Sequence, residues 1–242
     1  DFSAYSDIAI GSARVMGIQL SENFRRPFFA SSLREYWRRR HITLVSWFRD
    51  YVYIPLGGNR GPSWRTHTHV LVVFVLSGLW HGAAWTFVVW GAFHGCCLVI
   101  ESSLRRYNDA WLARLGALSL RLWFGLRHAW VLCCVLIGYA LFRSASFSDA
   151  LQVLSQATHW TIGLPHLGAA GWRFGLPQFE LIVLLVMIGF LFSIDWIEEF
   201  QTPWALRLWA RRSVRWSVYL AGIYSIVFFG NFGRVEFIYF QF

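Results

Sequence analysis

Eight histidines, at positions 41, 67, 69, 81, 94, 128, 159 and 166, are the side chains of this 242-residue chain best suited to exchanging a proton near neutral pH. His81 is the leading candidate. It sits in Trp80-His81-Gly82, deep in an uncharged stretch, and Gly82 leaves room beside the imidazole. A polar group at membrane depth is costly unless it is paired, and so is a functional candidate by default. The chemistry that fits is proton exchange in acid–base catalysis; the alternative is a packing histidine bonded to a neighbouring carbonyl. His41 follows three arginines and precedes a Thr- and Ser-containing stretch, which suits either a second functional imidazole or an interfacial one.

The other histidines carry less. His94 lies 13 residues beyond His81, and on one uninterrupted helix the two would point about 220° apart. His94 is therefore read as structural. His67 and His69 have no carboxylate or cysteine beside them and are read as loop histidines rather than a metal pair, so no metal is expected. Cys96-Cys97 and Cys133-Cys134 have neither zinc-site nor C-x-x-C spacing and read as small buried apolar residues. No nucleophile elbow, P-loop or dinucleotide fingerprint occurs. The pair Gly57-Gly58 alone is too little for a phosphate cradle.

The elements that must hold these groups belong to a bilayer protein. Hydrophobic residues make up 56% of the chain and charged residues 14%, against about 45–50% and ~25% in soluble domains. With 19% aromatics the chain is not disordered, and four cysteines do not make a disulfide scaffold. The net charge is +9, and all 22 basic residues are arginines. They fall in short clusters between apolar stretches, which is the pattern of membrane-flanking loops rather than of a nucleic-acid surface.

Residues 1–20 read as an amphipathic helix with a small packing face, and Ser32 with Glu35 reads as a capping box opening the next helix. Residues 33–53 are aromatic and basic together, as in a helix lying in the membrane interface or one entering the protein from the cytoplasmic side. Residues 55–62 read as a turn-rich loop. Residues 66–100 contain no Asp, Glu or Arg. As one helix they would reach about 50 Å, against a hydrocarbon core of ~30 Å, so a break near Gly82 is expected. Gly78 with Gly82, and Gly91 with Gly95, form two G-x-x-x-G pairs that permit close helix approach. Three further spans are expected around the uncharged stretches 128–142, 181–194 and 216–232, the first extending back through Leu122 with Arg127 snorkelling. An amphipathic helix is expected over 144–156 and a loop over 163–175.

Five segments occur in order: Asp1-Phe-Ser-Ala-Tyr-Ser-Asp7, Tyr36-Trp-Arg-Arg-Arg-His41, Trp47-Phe-Arg-Asp-Tyr-Val-Tyr-Ile-Pro-Leu-Gly-Gly-Asn-Arg60, Gly78-Leu-Trp-His-Gly-Ala-Ala-Trp85 and Trp90-Gly-Ala-Phe-His-Gly95. Together they resemble the membrane-bound O-acyltransferase (MBOAT) family. Ile54-Pro-Leu-Gly-Gly-Asn-Arg60 and the terminal Phe237-Ile-Tyr-Phe-Gln-Phe242 favour its alginate O-acetyltransferase branch over the D-alanyl transferase branch. Arg40 stands where the family usually has Trp, and Ala84 where Asn is common.

The resemblance implies an all-α membrane protein, a multi-span bundle with re-entrant or interfacial helices around a central tunnel. Residues 1–242 correspond to the C-terminal part of a single membrane domain, the family's N-terminal helices being expected outside this sequence. His81 matches the family's essential histidine, and His41 the second polar position on the same tunnel. The implied activity is O-acyl transfer, with acetyl-CoA or another acyl thioester arriving from the cytoplasmic side as donor substrate. The acceptor is a hydroxyl of a polysaccharide or partner protein on the periplasmic side. Periplasmic acetyltransferases, the lipid bilayer and a multi-pass place in the bacterial inner membrane follow, with no resident cofactor and no nucleic acid. The cluster Arg34 to Arg40 suits either attraction of an anionic donor or anchoring to headgroups, and Arg49 with Asp50 suits a local ion pair. The competing readings are a transporter or channel subunit with histidines lining a pore, and a scaffold that recruits soluble acetyltransferases.

Overall fold

A computed structural model describes residues 2–112, 117–159 and 178–230. Among these residues the regular structure is helical, with one isolated antiparallel bridge between Phe24 and Arg40. The chain divides into two compact units, Asp1–Leu164 and Pro165–Phe242.

The first unit opens with α1 (Phe2–Val15), which buries the small residues Ser6 and Ala13 as its composition leads one to expect. A 3-10 turn over Pro27–Phe29 leads to α2 (Leu33–Arg39). The Ser32 hydroxyl accepts the Glu35 N–H at 3.1 Å, closing half of a capping box. The Glu35 carboxylate does not return to Ser32; it accepts the Ser31 N–H at 2.9 Å and the Ser31 hydroxyl at 3.1 Å. After α2 the helix breaks at His41, and α3 (Ile42–Phe48) runs on into a π turn, Arg49–Tyr53. The single interfacial helix expected over 33–53 is therefore two short helices with a corner between them. The Arg49–Asp50 ion pair forms at 2.7 Å, and residues 54–59 turn as expected.

The uncharged run splits where its glycines suggest. Helix α4 (Ser63–His81) ends at Gly82, and α5 (Trp85–Leu112) turns back along it. Pro62 precedes the first residue of α4 and starts it early enough to include His67 and His69, which are thus helical rather than in a loop. His69 Nδ1 lies 3.0 Å from the Gly58 carbonyl and His67 Nε2 lies 3.3 Å from the Ser102 hydroxyl. The facing glycines let the two main chains touch. A Cβ on Gly78 would fall 2.2 Å from the Phe87 carbonyl oxygen, and one on Gly91 would fall 2.2 Å from the Phe74 carbonyl oxygen.

Helix α6 (Ala117–Arg143) packs antiparallel on α5 and α7 (Phe147–His159) follows it, matching the amphipathic stretch at 144–156. Arg127 does not snorkel freely; its Nε donates to the Ser31 carbonyl at 2.9 Å. Cys97 and Cys134 are buried, with their sulfurs 3.9 Å apart across α5 and α6. Cys96 and Cys133 are exposed, correcting the expectation that all four are buried. One helical step turns the neighbour of a core residue by about 100°, to the outer face.

The second unit contains α8 (Gln178–Phe200), α9 (Pro203–Ala210) and α10 (Arg212–Phe229). Among the described residues three helical stretches are long and apolar enough to cross a membrane: Trp85–Arg105, Ser119–Arg143 and Leu181–Phe200. Helix α10 forms over the described part of the span expected at 216–232, but its 18 residues, with Arg212 and Arg215 in the first turn, are not among them. The expected loop over 163–175, Arg114, His166 and the terminal segment 237–242 lie outside the described residues.

The core of the first unit gathers residues of α2, α5, α6 and α7, with Leu33, Tyr36, Trp37, Trp90, Val131 and Val135 all buried. Trp37 is its hub. Its ring meets Phe74 at 5.1 Å, Trp90 at 5.8 Å and His94 at 5.1 Å, each edge to face. Helix α2 is fixed along α5 by a carboxylate, since Glu101 accepts the Leu33 N–H at 2.7 Å and the Arg34 N–H at 3.4 Å.

Candidate active site

His41 stands at the corner between α2 and α3, with φ 49° and ψ 48° in the left-handed region. A β-carbon makes that conformation unfavourable, so surrounding bonds must impose it. Residues 23–25 supply them. Arg25 N–H donates to the Arg39 carbonyl at 2.8 Å and Ile42 N–H to the Asn23 carbonyl at 3.0 Å. The Asn23 side-chain oxygen accepts the Thr43 N–H at 3.2 Å and the Thr43 hydroxyl at 3.0 Å. Asn23 thus caps α3 from a distant segment, and the corner leaves His41 facing inward between the rings of Phe2 at 4.7 Å and Trp80 at 6.1 Å.

His81 is the last residue of α4, where the uncharged run breaks. Its ring is walled by Trp80 at 4.9 Å, Trp90 at 5.3 Å and Phe142 at 5.0 Å. Three helices meet there: α4 supplies the imidazole, α5 the Trp90 wall and α6 the Phe142 edge. A side chain at Gly82 would strike the Phe87 ring at 2.7 Å, so the glycine both ends the helix and admits the aromatic wall.

The structure brings His41 and His81, which lie 40 positions apart in sequence, to the same indole, that of Trp80. His94 belongs to the same interior. It is 2% exposed and lies 5.2 Å from Trp90, so His81 and His94 flank one ring rather than facing opposite ways. The break at Gly82 is what defeats the 220° estimate for one continuous helix. Across from His94, a Cβ on Gly138 would fall 2.3 Å from its Nε2. His41 Nδ1, His94 Nδ1 and Trp37 Nε1 are buried with no hydrogen-bond partner among the described residues. An interior with open donors and acceptors suits a polar reactant better than a sealed core.

Arg40, next to His41, does not extend outward as Arg34 and Arg38 do. It donates to the Tyr36 hydroxyl and, at 3.0 Å, to the Tyr139 hydroxyl, and it lies 5.0 Å from the Tyr139 ring centre. Its planar cation is well suited to such stacking. Arg39 pairs with Glu35 at 2.6 Å. Burial pushes the Glu35 carboxyl up, but the Ser31 hydrogen bonds and the Arg39 charge outweigh it and hold the group below its usual 4.5. Among the described residues no three His, Cys, Asp or Glu side chains converge as metal ligands.

Sequence reading did not single out Asn23, Glu101, Trp37 or Tyr139. Asn23 is visible only as a polar residue four positions before Pro27, and Glu101 only as the carboxylate that ends the uncharged run.

Residues 1–146 match the family described as MBOAT, membrane-bound O-acyltransferase family. The "Probable alginate O-acetylase AlgI" of Pseudomonas putida is 32% identical over 263 residues, which covers 100% of this chain and 50% of that protein. The protein of the same description from Azotobacter vinelandii is 43% identical over 153 residues, 63% of this chain and 29% of that protein. The "Peptidoglycan O-acetyltransferase" of Helicobacter pylori is 31% identical over 234 residues, 82% of this chain and 41% of its own length. The chain thus spans half the length of these relatives or less.

Proposed function

The chain belongs to the membrane-bound O-acyltransferase family, and from that premise we propose that it forms the histidine-bearing part of an enzyme moving an acetyl group from a thioester to a hydroxyl. The observation that carries this reading is the meeting of His41 and His81 at Trp80, each at a helix end and each inside an aromatic wall.

The steps follow from acid–base chemistry. One ring nitrogen of His81 accepts the proton of the acceptor hydroxyl as its oxygen attacks the thioester carbonyl carbon. A new C–O bond forms and the carbonyl electron pair moves to oxygen. His41 donates a hydrogen bond to that oxyanion or to the donor's carbonyl, orienting it. The intermediate collapses, the C–S bond breaks and the thiolate leaves, taking the proton held by His81. A positioned base contributes about 10²–10⁴-fold.

Acetyl-CoA or another acyl thioester on the cytoplasmic side is the donor in this reading, and an alginate-like exopolysaccharide is the final acceptor, reached directly or through periplasmic acetyltransferases. The inner membrane is the corresponding location. The names of the relatives support an acetyl group and a polymer acceptor, and the apolar spans support a membrane setting.

The test is made in the natural full-length protein. His81→Ala is expected to abolish polysaccharide acetylation at an unchanged membrane level of protein, and normal acetylation would sink the assignment. His41→Ala is expected to lose most of the activity; an unchanged rate would leave His41 a packing residue.

A further inference from the structure

The row of arginines after Leu33 does not act as one patch. Arg39 is paired with Glu35, and Arg40 is held between Tyr36 and Tyr139. Arg34 and Arg38, one helical turn apart on α2, instead line a cavity of about 660 Å³ at the other end of the α4–α5 hairpin from His81. That volume lies within the ~300–1,000 Å³ of small-molecule sites. Two more guanidiniums reach the same cavity, Arg105 from the end of α5 and Arg127 from α6.

Charge in the cavity is lopsided. Two carboxylates also line it, but both are committed elsewhere: Glu101 to the Leu33 and Arg34 N–H groups, Glu35 to Ser31 and Arg39. Among the described residues the Arg127 cation is anchored through Nε alone, on the Ser31 carbonyl. The fork is thereby set in place with its terminal nitrogens left to serve a further acceptor. Among the described residues no hydrogen bond or ion pair engages the Arg34 or Arg38 guanidinium.

The remaining wall is apolar. Trp123, Leu126 and Trp130 of α6 and Leu104 of α5 border the cavity. Leu126 is 64% exposed, Leu104 49% and Trp130 45%. On α5, Leu104 lies at the end of the apolar stretch Trp85–Arg105; on α6, Trp123 and Leu126 lie in the first third of Ser119–Arg143 and Trp130 near its middle. The cavity therefore runs from the arginine-bearing end of these stretches toward their apolar midpoint, a depth range that suits a lipid headgroup and the upper part of its chains.

We propose that this cavity binds the headgroup of an anionic phospholipid, its phosphodiester held by Arg34, Arg38 and Arg127 and its acyl chains lying along Leu104, Leu126 and Trp130. The arginines supply the charge and the fork geometry that a phosphodiester needs. The exposed apolar wall supplies what a soluble phosphate would leave unused. The site is separate from the histidines, so its occupancy does not depend on acyl transfer.

The experiment uses the natural full-length protein, purified in detergent and supplied with phosphatidylglycerol or phosphatidylcholine, with retained lipid read by native mass spectrometry. Phosphatidylglycerol is expected to be retained in preference to phosphatidylcholine. The double substitution Arg34→Gln with Arg38→Gln, on exposed side chains, is expected to weaken its retention about tenfold or more, with thermal unfolding unchanged. Arg127→Lys, which keeps charge but loses the fork, is expected to weaken it less. Equal retention by the double variant, no preference between the two lipids, or displacement of phosphatidylglycerol by millimolar coenzyme A would each overturn the proposal. The last result would give the cavity to the soluble thioester donor.

Discussion

Gly78 and Phe87 meet main chain to main chain: the space where a Gly78 side chain would begin is filled, at 2.2 Å, by the carbonyl oxygen of Phe87. The contact lies three residues before His81 on one helix and three before Trp90 on the other, so it sets the spacing between the imidazole and its wall. Gly78→Ala must push α4 and α5 apart. Overpacking of this kind costs about 1–3 kcal/mol, and acetylation is expected to fall by more than the loss of folded protein explains. Thermal unfolding and specific activity measured on the same preparation check this, and a fully active, equally stable variant would show that the helices need not touch.

Asn23 and Thr43 hold the corner that carries His41. Asn23→Ala removes the acceptor that caps α3, at about 1 kcal/mol, and frees the left-handed corner to relax. The expected result is a large fall in kcat with a small change in stability. Asn23→Asp keeps an acceptor oxygen and is expected to recover most of the rate. Identical kinetics in Asn23→Ala and the wild type would separate the corner from activity.

His94 and Gly138 predict a coupling. Gly138→Ala places a methyl group where the His94 ring lies, 2.3 Å from Nε2, and is expected to destabilise by about 1–3 kcal/mol. His94→Ala alone leaves a void beside Trp37 and Trp90. The double variant is expected to be more stable than the sum of the two losses, by about 0.5–3 kcal/mol. Strict additivity in a double-mutant cycle would mean that the two positions do not share this space.

Glu35 predicts a pH signature. Although burial raises its pKa, the Ser31 bonds and Arg39 lower it below 4.5 on balance. Its ionised form therefore stabilises the fold fully above the unfolded value, and that contribution is lost as the pH falls through the lower folded value. Glu35→Gln is expected to be slightly less stable than wild type at pH 7, by ~1 kcal/mol or less since the pair is partly exposed. The gap should close on acidification below pH 4.5, as the folded-state carboxylate takes up its proton. A gap that grows there would reverse the sign of the interaction.

Much of the fold was legible because the informative residues act locally. Ser32 and Glu35 announce the start of α2, and Gly82 announces the break after His81, through chemistry that needs only their immediate neighbours. The two G-x-x-x-G pairs likewise state a close approach, although not which carbonyl they approach. The corner at His41 was not legible. Its conformation is imposed by Asn23 and by the pairing of residues 23–25 with 39–42, and nothing within the stretch 33–53 encodes it. His94 was misplaced in direction for the same reason: helical phase is lost across a break, and only packing restores it. His67 and His69 are helical because Pro62 launches α4 ahead of them, a start that their own neighbours do not signal. The arginine row looked uniform because composition cannot say which guanidinium finds Glu35, which finds two tyrosines and which are left facing a cavity.

The paired glycines of α4 and α5 also bear on how the protein meets membranes of different thickness. Helices that touch through side chains can slide past one another by small rotamer changes, whereas Gly78 on Phe87 and Gly91 on Phe74 lock two points of backbone at once. A thinner or thicker bilayer must then be met by tilting the hairpin as a unit, or by bending the lipid around it. The distance from His81 to Trp90 stays constant through that adjustment, so a change of lipid chain length alters the hairpin's tilt and leaves the spacing of imidazole and indole as it was.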